Sequence, residues 1–398
     1  MNIFNSLGSH YNLPFAVRAL LLRSTGESAA RLKSYLEFEY RGKAILVYKG
    51  REAIELALRL IGLPRGTRVA VNGFTCFAVY KAIADSGYTP VYVDIEEDTL
   101  NFSPEKFLTT LKREPGIKIL IIQNTLGYPC RIEDIANLCR KHKIILIEDL
   151  AHSVGAIYAS TLPAGSMGDF VVFSFSRDKI IDGISGGALI VRNKAFEDVK
   201  IPNLIDVARK LQVADRLYPL GTYLIRNSYP VGIGKALHST LKSIGIMSSP
   251  VDQHDGGVHG LPGFYCGLIY NGFSQLQHDL RHRRAVAVVY ARNIPVEFLS
   301  PALTRQIANS TNLRFSIFVP RRDSLIRHLK AHGVHVADIW YDAPVAPRVY
   351  LGRTNYVNQC PVSERVAARI LNLPTHLNVS TREAVAIARL IQSWQTSA

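Results

Sequence analysis

Three short segments carry side chains whose types and spacing could support catalysis. The first, residues 48–54, reads Tyr-Lys-Gly-Arg-Glu-Ala-Ile, a turn that leads directly into a helical pattern. Amide groups at the N-terminus of a helix attract anions, and Gly50 would let the backbone approach a bound anion closely. Arg51 in the first turn could add a bidentate contact to a phosphate. The alternative is an ordinary loop-to-helix junction with a surface arginine.

The second segment is an apolar run that ends in two carboxylates. Residues 144–147 are Ile-Ile-Leu-Ile, and Glu148 and Asp149 follow directly. A charge at the end of a buried strand is costly unless it is partnered, so we expect Asp149 to face a cation or a protonated ring nitrogen. The alternatives are a turn-capping role for Asp149 and a hydrogen-bonded core position for His152.

The third segment contains a lysine between an apolar strand pattern and a Gly-Gly turn. Lys179 follows the run at residues 169–175, and Gly186-Gly187 then leads into another strand pattern. A lysine held inside the fold loses solvation, so its amine can act as a nucleophile and form a Schiff base. A solvated loop lysine is the alternative that this segment leaves open.

The elements that must position these segments follow an α/β pattern. Helical periodicity predicts helices at residues 51–61 and 132–142. Short β-branched runs predict six strands, at residues 68–71, 90–95, 117–123, 144–149, 170–175 and 188–192. This alternation predicts a mostly parallel sheet with helices on both faces, and such sheets bind ligands beyond the carboxyl ends of their strands.

The chain is expected to divide into four parts. An N-terminal arm (residues 1–42) precedes a large domain (43–193), a basic, aromatic-rich insertion or connection (194–262) and a small C-terminal domain (263–398). The last part should be α/β, with helices at residues 276–292, 324–332 and 382–394 and a strand at 313–319.

The insertion has an unusual charge pattern. Between residues 207 and 250 there are six Lys or Arg and one acid, Asp215, with tyrosines and leucines interleaved. This pattern allows a peripheral contact with an anionic membrane, or guidance of a lipid-linked substrate. The pattern favours instead a helical insertion that covers the active site or a dimer, with solvated basic residues. Pro219 and Pro230 predict that no long helix crosses this region.

Composition narrows the class of protein. The 398 residues carry a formal charge of +15, and 47% are hydrophobic, which excludes a disordered chain and favours anionic partners. Five scattered cysteines without a C-x-x-C pair predict free thiols, with neither a disulfide framework nor a metal site. We expect no membrane-spanning helix, no signal peptide and a cytoplasmic location. Nucleic acid is not an expected partner, because no groove-reading motif accompanies the basic residues.

In order and spacing, the three segments resemble the DegT/StrS family of aminotransferases, which use pyridoxal 5'-phosphate (PLP) and have fold type I. The resemblance runs over residues 44–191 and resumes more weakly at 360–364 and 371–376. It implies a large, mostly parallel-sheet domain, a smaller α/β C-terminal domain, and a homodimer with the active site near the subunit interface. The family's Asn-Tyr-Arg-Met segment, which reaches the neighbouring subunit's phosphate, is replaced near residues 262–265.

The resemblance also implies roles for individual residues. Lys179 occupies the place of the family's internal aldimine lysine, which also moves a proton between substrate and cofactor, although Ile180 follows it where the family has asparagine. Asp149 matches the aspartate that keeps the pyridine nitrogen protonated, so that the ring can act as an electron sink. His152 lies where the family has Gln or His near the cofactor's phenolic oxygen.

The resemblance places further residues around the cofactor's phosphate and ring. Ser174 matches a phosphate-binding serine, and Gly50 and Arg51 match the family's Gly-Thr at the phosphate turn. The family stacks an aromatic side chain on the cofactor ring directly after Phe-Thr. Here Cys76 follows, with Phe77 one place later, and either side chain could face the cofactor.

The function implied by the resemblance is a PLP-dependent aminotransferase. A donor such as glutamate would provide the amino group, and a keto-sugar carried on a nucleotide or lipid phosphate would accept it with ping-pong kinetics. Lys179 argues against the branch of this fold that dehydrates sugars and carries histidine in its place. Two alternatives stay open: a PLP enzyme of different chemistry, and a non-catalytic binding protein on the same fold.

Overall fold

The computed structural model describes residues 1–23, 25–243, 257–337 and 340–396, with strands and helices alternating through the first half. The strands are β1 (Ile3–Phe4), β2 (Lys43–Val47), β3 (Arg68–Asn72), β4 (Thr75–Cys76), β5 (Thr89–Val93), β6 (Ile117–Gln123), β7 (Ile145–Asp149), β8 (Phe170–Ser174), β9 (Gly187–Val191), β10 (Phe315–Phe318), β11 (Val334–His335), β12 (Val345–Ala346) and β13 (Ile370–Leu373). All six strands predicted for the first half and the one predicted for the C-terminal part are present within two residues at each end.

The helices alternate with these strands and end the chain. They are α1 (Leu13–Leu21), α2 (Gly26–Tyr40), α3 (Gly50–Ile61), α4 (Phe77–Asp85), α5 (Pro104–Arg113), α6 (Ile132–His142), α7 (Arg209–Ser228), α8 (Ile233–Ser243), α9 (Gly263–Asn293), α10 (Pro301–Arg305), α11 (Arg322–Ala331), α12 (Pro361–Arg369) and α13 (Thr381–Thr396). Short 3₁₀ segments complete the connections.

A seven-stranded sheet forms the centre of the fold, in the order β2-β9-β8-β7-β6-β3-β5. The five strands from β8 to β5 are parallel, while β9 is antiparallel to both β8 and β2. Apolar side chains cover both faces of the sheet, in two separate clusters of buried residues. The expected α/β class with a mostly parallel sheet is confirmed.

The C-terminal part has its own core, built on a small sheet. Strands β10 and β13 pair antiparallel, and the long helix α9 packs against α13 beside them. Buried side chains of α9, β10, α11, β13 and α13 form one apolar cluster. The start of the chain joins this part, because β1 pairs with β11 in parallel.

The insertion is more helical than its prolines predict. Pro219 lies inside α7, which is 20 residues long in total. The expectation that this proline breaks the helix is therefore wrong. Proline removes one backbone hydrogen bond, and packing retains the helix, since Pro219 is buried and α7 contacts α1 and α8. Pro230 does end the helical path, between α7 and α8. Residues 244–256 of the insertion lie outside the described residues.

The helices of the described ranges are too short or too polar to cross a lipid bilayer.

Candidate active site

The three segments identified in the sequence meet at one edge of the central sheet. Strands β6, β7 and β8 end there in Gln123, Asp149 and Ser174, and all three side chains line a cavity of about 760 Å³. Lys179, five residues beyond the end of β8, lines the same cavity. The carboxyl ends of the parallel strands therefore converge where the rule for open α/β sheets places ligands.

Asp149 is a buried carboxylate that accepts one side-chain hydrogen bond from the described residues. Its Oδ1 accepts a hydrogen bond from the amide of Ala151 at 2.9 Å, and its side chain is only slightly exposed. Burial raises the pKa of Asp149, while the Ala151 amide and the charge of Lys179 oppose the rise. The carboxylate thus has capacity for a cationic partner in the cavity.

Lys179 lies on a loop that other side chains hold in place. Asp182 accepts hydrogen bonds from the backbone amides of Asp178 and Ile184, each at 2.7 Å, and from the hydroxyl of Tyr11 at 2.8 Å. Asp178 has a φ of 64°, which turns the chain just before the lysine. Burial lowers the pKa of Lys179, although the nearby Cys76 and Asp149 oppose the shift.

His152 is held as a neutral ring. The amide of Leu126 donates to its Nδ1 at 3.2 Å, so a neutral imidazole carries its proton on Nε2. Burial, and then the charges of Lys179 and Arg314, place the pKa of His152 well below its ordinary value. The indole of Trp340 stacks on the imidazole, with ring centroids 5.4 Å apart, and lies 4.6 Å from Nζ of Lys179.

Gly50 and Ser174 form a close contact at the other end of the cavity. A Cβ placed on Gly50 would lie 2.6 Å from Cβ of Ser174 and 3.0 Å from its Oγ, so only glycine lets α3 begin so close to the end of β8. Lys49, the N-cap residue of α3, makes no side-chain capping hydrogen bond. The first turn of α3 therefore presents its amide end, with its favourable potential for anions, beside a serine hydroxyl.

Three cationic side chains surround this contact. Lys49, Arg51 and Arg177 all line the cavity, and Nζ of Lys49 donates to Oγ of Ser185 at 2.9 Å. Burial lowers the pKa of Lys49 to about 8, although Asp215 opposes the shift. The cluster has the charge and donors that a phosphate requires.

Asp215 balances these cations from helix α7. Its Oδ1 lies 2.9 Å from Nη2 of Arg177, and its Oδ2 accepts hydrogen bonds, each at 2.8 Å, from Tyr48, Ser185 and Tyr265. Burial alone would raise the pKa of Asp215, but Lys49 and Arg177 hold it below its ordinary value. The one acid of the basic segment is thus a buried partner of the active-site cations.

Cys76, rather than Phe77, faces the cavity. Cys76 pairs with Ala346 through β4 and β12, and both residues line the cavity wall. Phe77 is instead the first residue of α4, and its ring stacks on Tyr350 in the apolar core, with centroids 4.8 Å apart. Phe77, a candidate cofactor contact from the sequence, is therefore a core residue in this structure.

Several lining residues escaped the sequence analysis. Gln123 is the last residue of a predicted strand, so the strand prediction alone could have placed it at the sheet edge where ligands bind. Lys49 and Arg177 lie next to residues already singled out, and a search for cations flanking Gly50 would have found Lys49. Trp340 and Tyr341 come from a distant, irregular segment, and only the tertiary fold brings them to the cavity.

The residues of the cavity fit PLP. A buried carboxylate suits a pyridinium nitrogen, a partly desolvated lysine suits an aldehyde, and the cations around Gly50 and Ser174 suit a phosphate. Because Gly50 has no side chain, the backbone at the start of α3 can lie close to a phosphate bound beside Ser174. The cavity volume also lies within the usual range for cofactor sites.

Comparison with known families gives a match over most of the chain. The model of the DegT/DnrJ/EryC1/StrS aminotransferase family matches residues 23–209 and 257–392. The matched residues include Lys179, Asp149 and His152 and leave out α1, β1 and nearly all of α7 and α8.

Individual relatives include sugar transaminases. The putative pyridoxal phosphate-dependent aminotransferase EpsN of Bacillus subtilis is 36% identical over 197 residues, which is 48% of this chain and 50% of EpsN. The chain thus aligns with about half of that relative's length. A dTDP-3-amino-3,6-dideoxy-alpha-D-galactopyranose transaminase of Aneurinibacillus thermoaerophilus is 24% identical over 92% of this chain and 88% of its own.

Solved structures share the fold over nearly the whole chain. The PLP form of the putative sugar aminotransferase Spr1654 of Streptococcus pneumoniae has a TM-score of 0.73 at 17% identity, covering 100% of this chain and 99% of its own. An aminotransferase of Brucella abortus has a TM-score of 0.69 at 21% identity, covering 93% and 91%. The expected PLP fold type I is confirmed, and the chain belongs to the DegT/DnrJ/EryC1/StrS family of PLP-dependent aminotransferases.

Proposed function

We propose that this protein moves an amino group from glutamate to a keto-sugar carried on a phosphate, with Lys179 as the catalytic residue. The observation that carries the proposal is the single cavity shared by Lys179, Asp149, His152 and the Gly50–Ser174 contact. The sugar transaminases among the relatives support the class of acceptor. A homodimer is part of the proposal through the family.

Lys179 would bind the cofactor and move protons. When bound, PLP supplies an electron sink that makes the α-hydrogen of an amino acid acidic. Because burial lowers the pKa of Lys179, a larger share of its amine is neutral near pH 7 than for a surface lysine. A neutral Nζ can both attack a carbonyl and accept a proton.

Asp149 and His152 would orient the cofactor ring. The buried carboxylate of Asp149 at the end of β7 would hold a proton on the ring nitrogen, since a cationic partner would compensate its burial. His152 carries its proton on Nε2 and can donate to an oxygen without becoming charged. Trp340, stacked on that imidazole, would fix the plane of the histidine and exclude water from that side.

The mouth of the cavity supports a phosphate-carried acceptor. His238 and Lys242 of α8 and Lys330 and His335 near α11 all line it. Burial and then Lys242 lower the pKa of His238, and burial and then Lys330 and Lys235 lower that of His335, so lysine charge adds to the effect of burial at both rings. A diphosphate would compensate this positive charge.

The first experiment is a visible absorbance spectrum of the purified protein with PLP. Wild type should show the band of lysine-bound cofactor and lose it on addition of glutamate, because the amino group passes to the cofactor. Lys179→Ala should show no such band, and Lys141→Ala, a change at an exposed lysine of α6, should behave as wild type. A band that ignores glutamate contradicts the donor, and an unchanged band in Lys179→Ala contradicts the role of the lysine.

A second experiment tests the acceptor class. Pyrophosphate, the group common to nucleotide and lipid diphosphate carriers, should bind Lys242→Gln/Lys330→Gln about tenfold more weakly than wild type. The glutamate half-reaction should be unchanged in that variant. Lys112→Gln/Lys141→Gln removes two exposed charges far from the mouth and should bind pyrophosphate as wild type does. Equal binding by all three proteins would contradict the proposed phosphate site.

A further inference from the structure

Two segments that lie almost wholly outside the family match pack together as one unit, here called the accessory unit and defined as residues 1–23 and 209–243. Nη1 of Arg216 on α7 donates to the carbonyl oxygen of Leu22, just beyond α1, at 2.8 Å. The rings of Tyr11 and Tyr218 meet edge to face, and Phe4 meets Tyr229 in the same way, with centroids 5.1 Å apart. Helices α1, α7 and α8 therefore form a continuous surface beside the cavity.

The outer surface of the accessory unit is unusually apolar. Nine of the eighteen large hydrophobic side chains that are exposed among the described residues belong to it, although it holds only 58 residues. On α1 they recur every four residues, and on α7 they share one helical face. These nine are Met1, Leu13, Val17, Leu21, Val213, Leu217, Leu224, Val231 and Ile233.

The same surface carries positive charge without an exposed acid. Asp215 is the only acidic residue of the accessory unit, and it is buried against Arg177. The exposed basic residues are Arg18, Arg23, Arg209, Lys210, Lys235 and Lys242. Apolar stripes flanked by Lys and Arg are the pattern of helices that lie in the interface of an anionic membrane.

A second copy of the chain would fit this surface poorly. Most dimers are two-fold symmetric and place the same patch against itself. Here such a contact would bring six exposed cations against six others, with no exposed acid of the accessory unit to pair with them. An anionic lipid surface matches both the apolar side chains and the charge. We propose that the accessory unit docks the enzyme on anionic membranes.

Docking would place the active site at the lipid surface. From the accessory unit, the cavity is lined by Tyr218 of α7, by Tyr229 directly after α7, and by His238 and Lys242 of α8. The mouth therefore lies beside the docking surface, within reach of a substrate whose phosphate is attached to a lipid. Membrane binding itself does not depend on the proposed transaminase reaction and can be measured without it.

The test is co-sedimentation of the full-length, PLP-loaded protein with vesicles. One set contains phosphatidylcholine with phosphatidylglycerol, and the other contains phosphatidylcholine alone. Wild type should pellet with the anionic vesicles and be released by salt, because screening weakens contacts between exposed charges. The triple variant Leu21→Gln/Leu217→Gln/Val231→Gln should bind the anionic vesicles at least about tenfold more weakly than wild type, since three apolar contacts with the lipid are lost.

A matched triple variant separates docking from general surface polarity. Val296→Gln/Val349→Gln/Val357→Gln changes three apolar side chains, each 76% exposed, outside the accessory unit and should bind as wild type does. The PLP absorbance band should be retained in both variants, which shows that they fold. Wild type that stays in the supernatant with anionic vesicles overturns the proposal. So does equal binding by the two triple variants, or a change of oligomeric state in the first variant without vesicle binding by wild type.

Discussion

Removing the charge of Asp215 should destabilise the protein strongly. The carboxylate is buried, pairs with Arg177 at 2.9 Å and lies close enough to Lys49 for the two charges to shift each other's pKa. Breaking a buried ion pair by removing one partner costs about 3–5 kcal/mol, because the remaining buried charge loses the compensation of that partner. We therefore expect Asp215→Asn to lower the free energy of unfolding by about 3–5 kcal/mol at pH 7.

The geometry shows why an amide cannot replace the carboxylate. Tyr48, Ser185 and Tyr265 all donate to Oδ2, so the amide oxygen would take that position. The amide NH₂ would then occupy the place of Oδ1 and direct its hydrogens at the guanidinium of Arg177. Two donors would face each other in a buried site, which adds to the loss of charge.

Urea unfolding of the cofactor-free protein measures this effect. The matched control is Asp206→Asn, which removes an exposed acid three residues before α7 and should change stability by less than about 0.5 kcal/mol. Asp215→Asn should also bind inorganic phosphate at least as tightly as wild type, since the nearby cations lose their internal partner. A stability loss below about 1 kcal/mol for Asp215→Asn would refute the reasoning.

The effect should depend on pH in one direction. The folded-state pKa of Asp215 is below its ordinary value, so its contribution is fully present above the unfolded pKa of about 4. The contribution is lost as the pH falls through the folded-state pKa. The stability difference between wild type and Asp215→Asn should therefore be constant from pH 5 to 7 and shrink in stronger acid.

Three further predictions concern the cavity wall. Gly50→Ala should weaken PLP binding about tenfold or more, because the new Cβ would press on Ser174. Gly26→Ala, at a position with open space around it, should leave PLP affinity unchanged. Equal PLP affinities of the two variants would contradict the close packing of Gly50 on Ser174. Trp340→Leu should alter the absorbance of bound PLP with little loss of stability, because Trp340 stacks on His152. Phe77→Leu should reduce the melting temperature and leave the absorbance spectrum unchanged, because Phe77 packs in the core. The reverse result would show that Phe77, and not Trp340, lies at the cofactor. Phosphate affinity should fall between pH 7 and 9 as Lys49, with a pKa of about 8, loses its charge, and Lys49→Met should remove this dependence.

Local patterns were sufficient to predict the sheet and to select residues that the fold brings to one cavity. Parallel strands that are buried on both faces are nearly continuous apolar runs, so the sequence was sufficient to predict β6 and β7. It was also sufficient to identify the polar residues at the ends of these strands. Gly50, Asp149 and Lys179 each follow such a run or begin a helix, and the fold brings all three to one cavity. These features depend on neighbours in sequence.

Other features depend on partners distant in sequence and could not be predicted. The helix through Pro219 persists because its buried face packs on α1, about 200 residues earlier. Trp340 reaches His152 across nearly 190 residues, and nothing around it marks a cofactor site. The orientation of Phe77 and Cys76 was undecided because adjacent residues at the start of a helix can turn either way, and the pairing of β4 with β12 decides it.

Asp215 connects the part of the molecule that is typical of the family with the part that is not. It lies just beyond residue 209, where the family match stops, yet its carboxylate completes a network with Tyr48, Ser185 and Arg177 from the matched region. The accessory unit is therefore coupled to the phosphate end of the cavity by charge as well as by packing. An anion bound beside Lys49 and Arg177 would draw on the same cations that hold α7 in place. We accordingly expect that cofactor binding and the position of the accessory unit affect each other, because both depend on this one buried charge balance.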